Sequence, residues 1–171
     1  ARVALISVAS TFPDHSRAGR TRGDVPARPG LNPLRFSTTY VVTRDRFESL
    51  RDTVQELGFT APTADDELTF RGNRFIVGDA PDVLTEPHPQ DVKEISAVVT
   101  NASRQADYTI LTIHAHEGDS NRFVPAQFLT TFAHAMIDAG ADLFIGHGPH
   151  VVRGIEIRNG KPIIYSLANF L

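Results

Sequence analysis

Two histidine-rich segments follow short apolar runs in this chain of 171 residues. The first is His114-Ala115-His116-Glu117 and the second is Gly146-His147-Gly148-Pro149-His150. Together they contain four of the seven histidines. Imidazole is a good ligand for zinc, iron and nickel, and a glycine beside a histidine lets the backbone turn tightly. We therefore predict that these segments bind a divalent metal, with His147 and His150 converging on one ion or an adjacent pair.

The predicted fold explains how two segments so far apart in the sequence come together. Residues 108–113 and 142–145 are continuous apolar and β-branched runs, which are typical of strands buried in a parallel sheet. A helix predicted from Pro125 to Gly140 connects them, and a right-handed crossover of this kind places parallel strands side by side. Ligands of open α/β sheets bind at the carboxyl ends of strands. Both histidine segments are therefore expected to face one crevice.

Few carboxylates lie near this crevice. Glu117 and Asp119 follow the first histidine pair. Three roles are open to Glu117: a metal ligand, an acceptor that orients an imidazole N–H, or a solvated loop charge. The role of His116 is equally open. His134 is expected to be a solvated helix residue, and Asp142 a structural one. The chain has no Asp-x-His or Gly-Asn-His that would bridge two ions, so we predict half of a dinuclear site.

Hydrophobic periodicity and turn residues predict an α/β fold with a mixed, mostly parallel sheet. Asn159-Gly160 is a strong hairpin signal, and the two predicted hairpins make the sheet mixed. The predicted elements are a strand at 2–9, a helix at 44–57, a hairpin at 68–77, a helix at 90–105, a strand at 108–113, a helix at 125–140, a strand at 142–145 and a hairpin at 151–165.

Residues 10–34 are rich in proline, glycine and arginine and are predicted to be irregular. Long loops of this kind either carry function or lie on the surface as mobile segments. Guanidinium groups bind carboxylate and phosphate in a bidentate manner. Arg17, Arg20 and Arg28 are therefore candidate ligands of an anionic substrate, and a mobile surface loop is the alternative.

Composition narrows the classes of function. Seventeen basic and twenty acidic residues give a net charge of −3, which argues against a nucleic-acid-binding protein. No cysteine is present, so thiolate ligands and cysteine nucleophiles are excluded. No apolar run approaches the ~20 residues of a membrane span. The length predicts a single domain over residues 1–171. Both ends of the sequence are apolar, so we expect it to be a piece of a longer polypeptide.

Five short motifs occur in order along the second half of the chain: Ile113-His114-Ala115-His116, Ile137-Asp138-Ala139-Gly140-Ala141-Asp142, Gly146-His147-Gly148-Pro149-His150-Val151, Gly154-Ile155-Glu156 and Lys161-Pro162-Ile163-Ile164-Tyr165-Ser166-Leu167-Ala168-Asn169-Phe170. Together they resemble the bacterial CapA family of capsule and poly-γ-glutamate synthesis. The family typically has glycine where this chain has Ala168, and His-Trp-Gly where it has His114-Ala115-His116. Its Gly-Asp after the first strand and its Asn-Asn-His are not in this chain.

The resemblance implies the C-terminal part of a metallophosphoesterase-like, layered α/β sandwich, incomplete in this chain. It implies that His114, His147 and His150 bind divalent metal ions (zinc, manganese or iron), with His114 and His147 catalytic. For His116 and Glu117 we keep the expectations from the residues: either could be a further ligand or orient a ligand, and Glu117 could also be a solvated loop charge.

The resemblance also implies two functional alternatives. One is a metal-dependent hydrolase acting on an amide or phosphoester bond of an anionic polymer or phosphoester substrate. The other is a non-enzymatic, polymer-binding or export component that works with partners in a capsule synthesis complex. Either would place the protein at the cell envelope.

Overall fold

The computed structural model describes residues 1–19, 21–60, 63–118 and 121–169. Within these ranges the chain forms ten strands, three α-helices and a 3-10 helix at Asp14–Ser16. In chain order the elements are β1 (Val3–Ala9), β2 (Phe36–Val42), α1 (Arg44–Glu56), β3 (Thr63–Ala64), β4 (Glu67–Phe70), β5 (Asn73–Val77), β6 (Asp82–Pro87), α2 (Pro89–Ser103), β7 (Tyr108–His114), α3 (Gln127–Asp138), β8 (Leu143–His147), β9 (Ile155–Arg158) and β10 (Lys161–Ile164).

The chain divides into two compact units. The first combines Ala1–Phe36 with Pro87–Leu171, and the second is Ser37–Glu86. Each unit is built on a five-stranded sheet, in the order β1-β7-β8-β10-β9 in the first and β3-β4-β5-β2-β6 in the second. The predicted α/β class with mixed pairing is confirmed, but the two predicted hairpins belong to two different sheets rather than one. The single domain and the metallophosphoesterase-like arrangement stay predictions.

The sheet of the first unit is parallel except at one edge. β7 pairs in parallel with both β1 and β8, and β10 pairs in parallel with β8 and antiparallel with β9. Side chains of β7 alternate between buried and partly exposed positions, because only one face of the sheet packs on the main core. The predicted parallel-sheet strand is confirmed for β7, with one of its two faces only partly buried.

Helices α2 and α3 complete the core of this unit. Ile95 and Val99 of α2 meet Phe128 and Phe132 of α3 in one buried cluster with Leu111 of β7. The left-handed φ of +115° at Gly140 follows the end of α3, as its glycine predicted. No helix in the described part of the chain is both long enough and apolar enough to cross a membrane.

The second unit packs its sheet on α1. Phe47 and Val54, seven residues apart on one helix face, are buried against Leu68 of β4. Arg71 and Gly72 both have positive φ, so the predicted turn of the β4–β5 hairpin is confirmed. Strands β2 and β6 were not predicted from the sequence.

The predicted irregular stretch 10–34 has more order than expected. Its backbone pairs with itself: the Gly19 N–H donates to the Arg28 carbonyl at 2.8 Å, and the Leu31 N–H donates to the Ser16 carbonyl at 2.9 Å. At its base, the Leu34 N–H donates to the Ala9 carbonyl at 2.8 Å. This folded segment therefore begins and ends at the carboxyl end of β1.

Candidate functional site

The candidate site lies at the carboxyl ends of β7 and β8. His114 and His147 are the last residues of these strands rather than the first residues of the following loops, and they lie opposite each other in the parallel register. The predicted adjacency of the two strands is confirmed. Parallel pairing thus aligns two imidazoles that are 33 residues apart in the sequence.

The four imidazoles of the two segments lie together. His114 Nδ1 is 3.3 Å from His147 Nδ1, and His114 Nε2 is 3.0 Å from His116 Nε2. The rings of His116 and His150 have centroids 5.5 Å apart. The predicted convergence of the two histidine segments is confirmed. A neutral imidazole carries one N–H, so His114 donates through one ring nitrogen and accepts through the other.

Burial and the neighbouring imidazoles lower the pKa of two of the histidines. Burial lowers the pKa of His114 below 6.5, and the neighbouring His116 and His147 lower it further. Burial, followed by the proximity of His116, also lowers the pKa of His147. Both imidazoles are therefore neutral at pH 7, which is the form that binds a metal.

Glu117 is fixed by the end of β1. Ser10 Oγ donates to Glu117 Oε2 at 2.7 Å, and Thr11 Oγ1 donates to Oε1 at 2.8 Å. The backbone N–H of His116 donates to Thr11 Oγ1 at 3.1 Å. These contacts show that two hydroxyl groups hold the Glu117 carboxylate. They do not select among the three roles considered for this residue. Sequence analysis missed Ser10 and Thr11, although the pairing of β1 beside β7 would have pointed to them.

His150 is held by Asn169, which sequence analysis also did not single out. His150 Nδ1–H donates to Asn169 Oδ1 at 2.5 Å, because an amide oxygen can only accept. This hydrogen bond leaves the lone pair on Nε2 of His150. His150 and Ala168 both have left-handed backbones, with φ of +59° and +63°. The family's glycine at position 168 is explained by this conformation.

The arginines predicted to bind substrate are engaged within their own segment. Arg17 forms an ion pair with Asp14 and lines a cavity of about 590 Å³. Arg28 Nη2 donates to the carbonyl oxygens of His15 and Arg17, at 2.7 and 2.9 Å. Arg20, like Asp119 of the first histidine segment, lies outside the described residues. Substrate binding by these arginines stays a prediction.

Two other polar residues lie apart from the imidazoles. His134 Nε2 is 2.8 Å from Glu156 Oε1, so this histidine is half-buried and hydrogen-bonded rather than solvated. Asp142 accepts a hydrogen bond from the Thr109 N–H at 2.9 Å and pairs with Lys161 at 3.2 Å. The structural role predicted for Asp142 is confirmed.

Comparison with known proteins places this chain in a family. A family model described as bacterial capsule synthesis protein PGA_cap matches residues 1–171. The chain belongs to this family.

The chain is similar to three known relatives over parts of their lengths. It is 41% identical over 171 residues to protein y4sH of Sinorhizobium fredii, which covers 99% of this chain and 37% of the relative. It is 39% identical over 83 residues to the PGA biosynthesis protein CapA of Bacillus subtilis, covering 48% of this chain and 21% of that protein. It is 38% identical over 84 residues to a probable polyglutamine synthesis accessory protein of Mycobacterium tuberculosis, covering 48% and 22%. The chain thus spans about a third or less of the relatives it matches.

This chain brings imidazole nitrogens, which are potential metal ligands, together in pairs. Two nitrogens bound to one tetrahedral zinc at about 2.05 Å are about 3.3 Å apart. The 3.3 Å between His114 Nδ1 and His147 Nδ1 fits this spacing. In the described ranges, no group of three or more His, Asp or Glu side chains is arranged so that it could hold a metal ion. The residues therefore fit a two-imidazole contribution to a metal site.

Proposed function

We propose that this chain contributes the imidazole side of a divalent-metal hydrolase site in a protein of capsule or poly-γ-glutamate synthesis. His114 and His147 are the proposed ligands of one ion, and His150 is the proposed ligand of an adjacent ion. One observation carries the proposal: the paired imidazoles at the ends of β7 and β8, with Nδ1 atoms 3.3 Å apart.

The protonation and orientation of the histidines support metal binding. His114 and His147 have lowered pKa values, so protons do not compete with a metal at neutral pH. Asn169 fixes the tautomer of His150 through Nδ1–H and leaves the lone pair of Nε2 to bind a metal. When bound, a divalent cation supplies Lewis-acid polarisation and a hydroxide nucleophile near neutral pH.

The remaining polar groups of the site have positioning roles in this proposal. Ser10 and Thr11 hold the Glu117 carboxylate, and Thr11 also accepts from the backbone of His116. The segments that follow β1 and β7 are thereby linked at the carboxyl end of the sheet. Such links keep ligands in place before the substrate arrives.

The proposed substrate is an anionic polymer or a phosphoester. The names of two relatives, a PGA biosynthesis protein and a probable polyglutamine synthesis accessory protein, favour a polymer with amide bonds. A polymer-binding or export role without catalysis is the second candidate. It is favoured by the finding that no three described His, Asp or Glu side chains are arranged to hold a metal ion.

The test combines metal content with turnover in the full-length protein. Metal bound after purification is measured by mass spectrometry. Hydrolysis is followed with bis(p-nitrophenyl) phosphate and with poly-γ-glutamate. We expect a stoichiometric metal and turnover, both reduced by His147→Ala. His15→Ala is the matched control, because His15 is exposed and lies outside the cluster.

Three outcomes separate the alternatives. Metal and turnover lost in His147→Ala but kept in His15→Ala support the hydrolase. Metal without turnover on either substrate favours the polymer-binding role. A wild-type protein that binds no zinc, manganese or iron overturns the proposed metal site.

A further inference from the structure

Arg153 is a buried cation that the proposed function does not use. It is only 3% exposed, and it forms no ion pair with a described residue. Burial lowers the pKa of its guanidinium group, with Glu117 acting in the opposite direction. Burying a charge without a close counter-ion is costly, so its hydrogen bonds must compensate.

The guanidinium group donates to three backbone carbonyls of the segment that follows β7. Nη1 donates to the Glu117 carbonyl at 2.7 Å, and Nε donates to the Arg122 carbonyl at 3.1 Å. Nη2 is 3.4 Å from the His116 carbonyl. Arg153 itself lies in the segment after β8, where its own N–H donates to the Ser166 carbonyl at 3.2 Å. Arg153 therefore ties the two histidine segments together through its side chain and holds the segment after β10 through its backbone N–H.

Gly118 makes this close approach feasible. A Cβ atom at position 118 would lie 2.7 Å from Arg153 Nη2 and 3.3 Å from the Val124 carbonyl oxygen. The backbone at Gly118 is not in the left-handed region, so an alanine there would act by contact, displacing the guanidinium group, and not by conformation. The guanidinium group thus packs against the backbone of Gly118, which has no side chain.

We infer that Arg153 is a positioning residue: it clamps residues 116–118 and 121–124 onto the segment after β8 and so fixes His116 and Glu117 beside His114 and His147. The consequence for metal affinity rests on the proposed function. The clamp itself does not, because it consists of hydrogen bonds between residues of this chain.

The experiment uses the full-length protein and the variants Arg153→Gln, Arg153→Lys and Gly118→Ala. Amide hydrogen exchange is measured at 116–118 and 121–124 and, for comparison, at the core residues Ile95 and Val99. In Arg153→Gln and Gly118→Ala we expect exchange of the loop amides to rise about tenfold or more, with the core amides unchanged. Lysine keeps the charge but has one donor group, so Arg153→Lys should give an intermediate rise.

Two site readouts accompany the exchange measurement. The imidazole ¹⁵N shifts of His116 should change in Arg153→Gln, because its contact with His114 depends on the clamp. The Kd for Co²⁺ added alone, followed by absorbance, should rise about 10–100-fold. Gly154→Ala is the matched control, since a Cβ there meets nothing within 4 Å.

Unchanged loop exchange in Arg153→Gln would overturn the inference. Equal acceleration at the loop and at Ile95 and Val99 would also overturn it, because that indicates general destabilisation. Faster loop exchange with unaltered His116 shifts would show that the clamp does not position the site. If the wild-type protein binds no Co²⁺ while Arg153→Gln shows the expected exchange and ¹⁵N changes, only the proposed metal function is overturned.

Discussion

At the scale of single residues, the site concentrates unusual backbone conformations. His150 and Ala168 have left-handed backbones, with φ of +59° and +63°. His150 is one partner of the hydrogen bond to Asn169, and Ala168 directly precedes the other partner. A left-handed non-glycine residue costs about 1–2 kcal/mol. Because the surrounding contacts must offset this cost, the position of the His150 ring is determined by more than its own loop.

The first residue-scale prediction concerns Ala168. Glycine relieves the left-handed strain but loses more backbone entropy on folding, so Ala168→Gly should raise the free energy of unfolding by about 0.5–1 kcal/mol. Urea denaturation measures this change. Ala135→Gly, in the middle of α3, should instead lower it by about 1 kcal/mol. A loss of stability in both variants would contradict the assigned conformation.

The second residue-scale prediction concerns Asn169. Asn169→Ala removes the acceptor that fixes the His150 tautomer, so affinity for Co²⁺ should fall about 10–100-fold. Asn169→Asp keeps an acceptor oxygen and should retain most of the affinity. Titration followed by absorbance is the measurement. If alanine and aspartate weaken binding equally, the hydrogen bond does not serve the site.

At the scale of elements, residue patterns predicted those helices and strands whose formation depends on neighbouring residues in the sequence. The helices α1 to α3 and the strands β1, β7 and β8 follow from apolar periodicity and from their glycine and proline boundaries. Strands β2 and β6 were missed, because their partly exposed residues give no clear period-two pattern. The hydroxyls that hold Glu117 were missed for another reason. They depend on the pairing of β1 with β7, which joins residues over 100 positions apart.

The element-scale prediction concerns the contact between β8 and the end of β10. A Cβ at Gly146 would collide with the backbone carbonyl of Tyr165, so only glycine fits between these strands. Gly146→Ala should lower the free energy of unfolding by about 1–3 kcal/mol. It should also disturb the neighbouring His147 and weaken Co²⁺ binding. Gly154→Ala, where a Cβ meets open space, should be near neutral in both measurements. Equal effects of the two variants would contradict the close packing.

At the scale of the whole molecule, the ionisable groups affect stability in two separate pH ranges. Carboxylates such as Glu156 have lowered pKa values because of bonds to Tyr165 and His134, so their contribution is lost only as the pH falls below about 4.5. His114 and His147, whose pKa values lie below 6.5, act at higher pH. The two effects can therefore be separated by choosing the pH range.

The last prediction is a loss of stability between pH 7 and pH 5 in metal-free protein. The folded pKa values of His114 and His147 are below 6.5, so the unfolded chain binds more protons in this range. Stability must then decrease as the pH falls, by at most about 1.4 kcal/mol per pH unit for each histidine. Urea denaturation with a chelator present measures the slope, and the double variant His114→Gln/His147→Gln should show a shallower one. A double variant with the same slope as the wild type would contradict burial as the cause, because the proton uptake would then come from other groups. Added Co²⁺ should steepen the wild-type slope, since protons and metal compete for the same nitrogens.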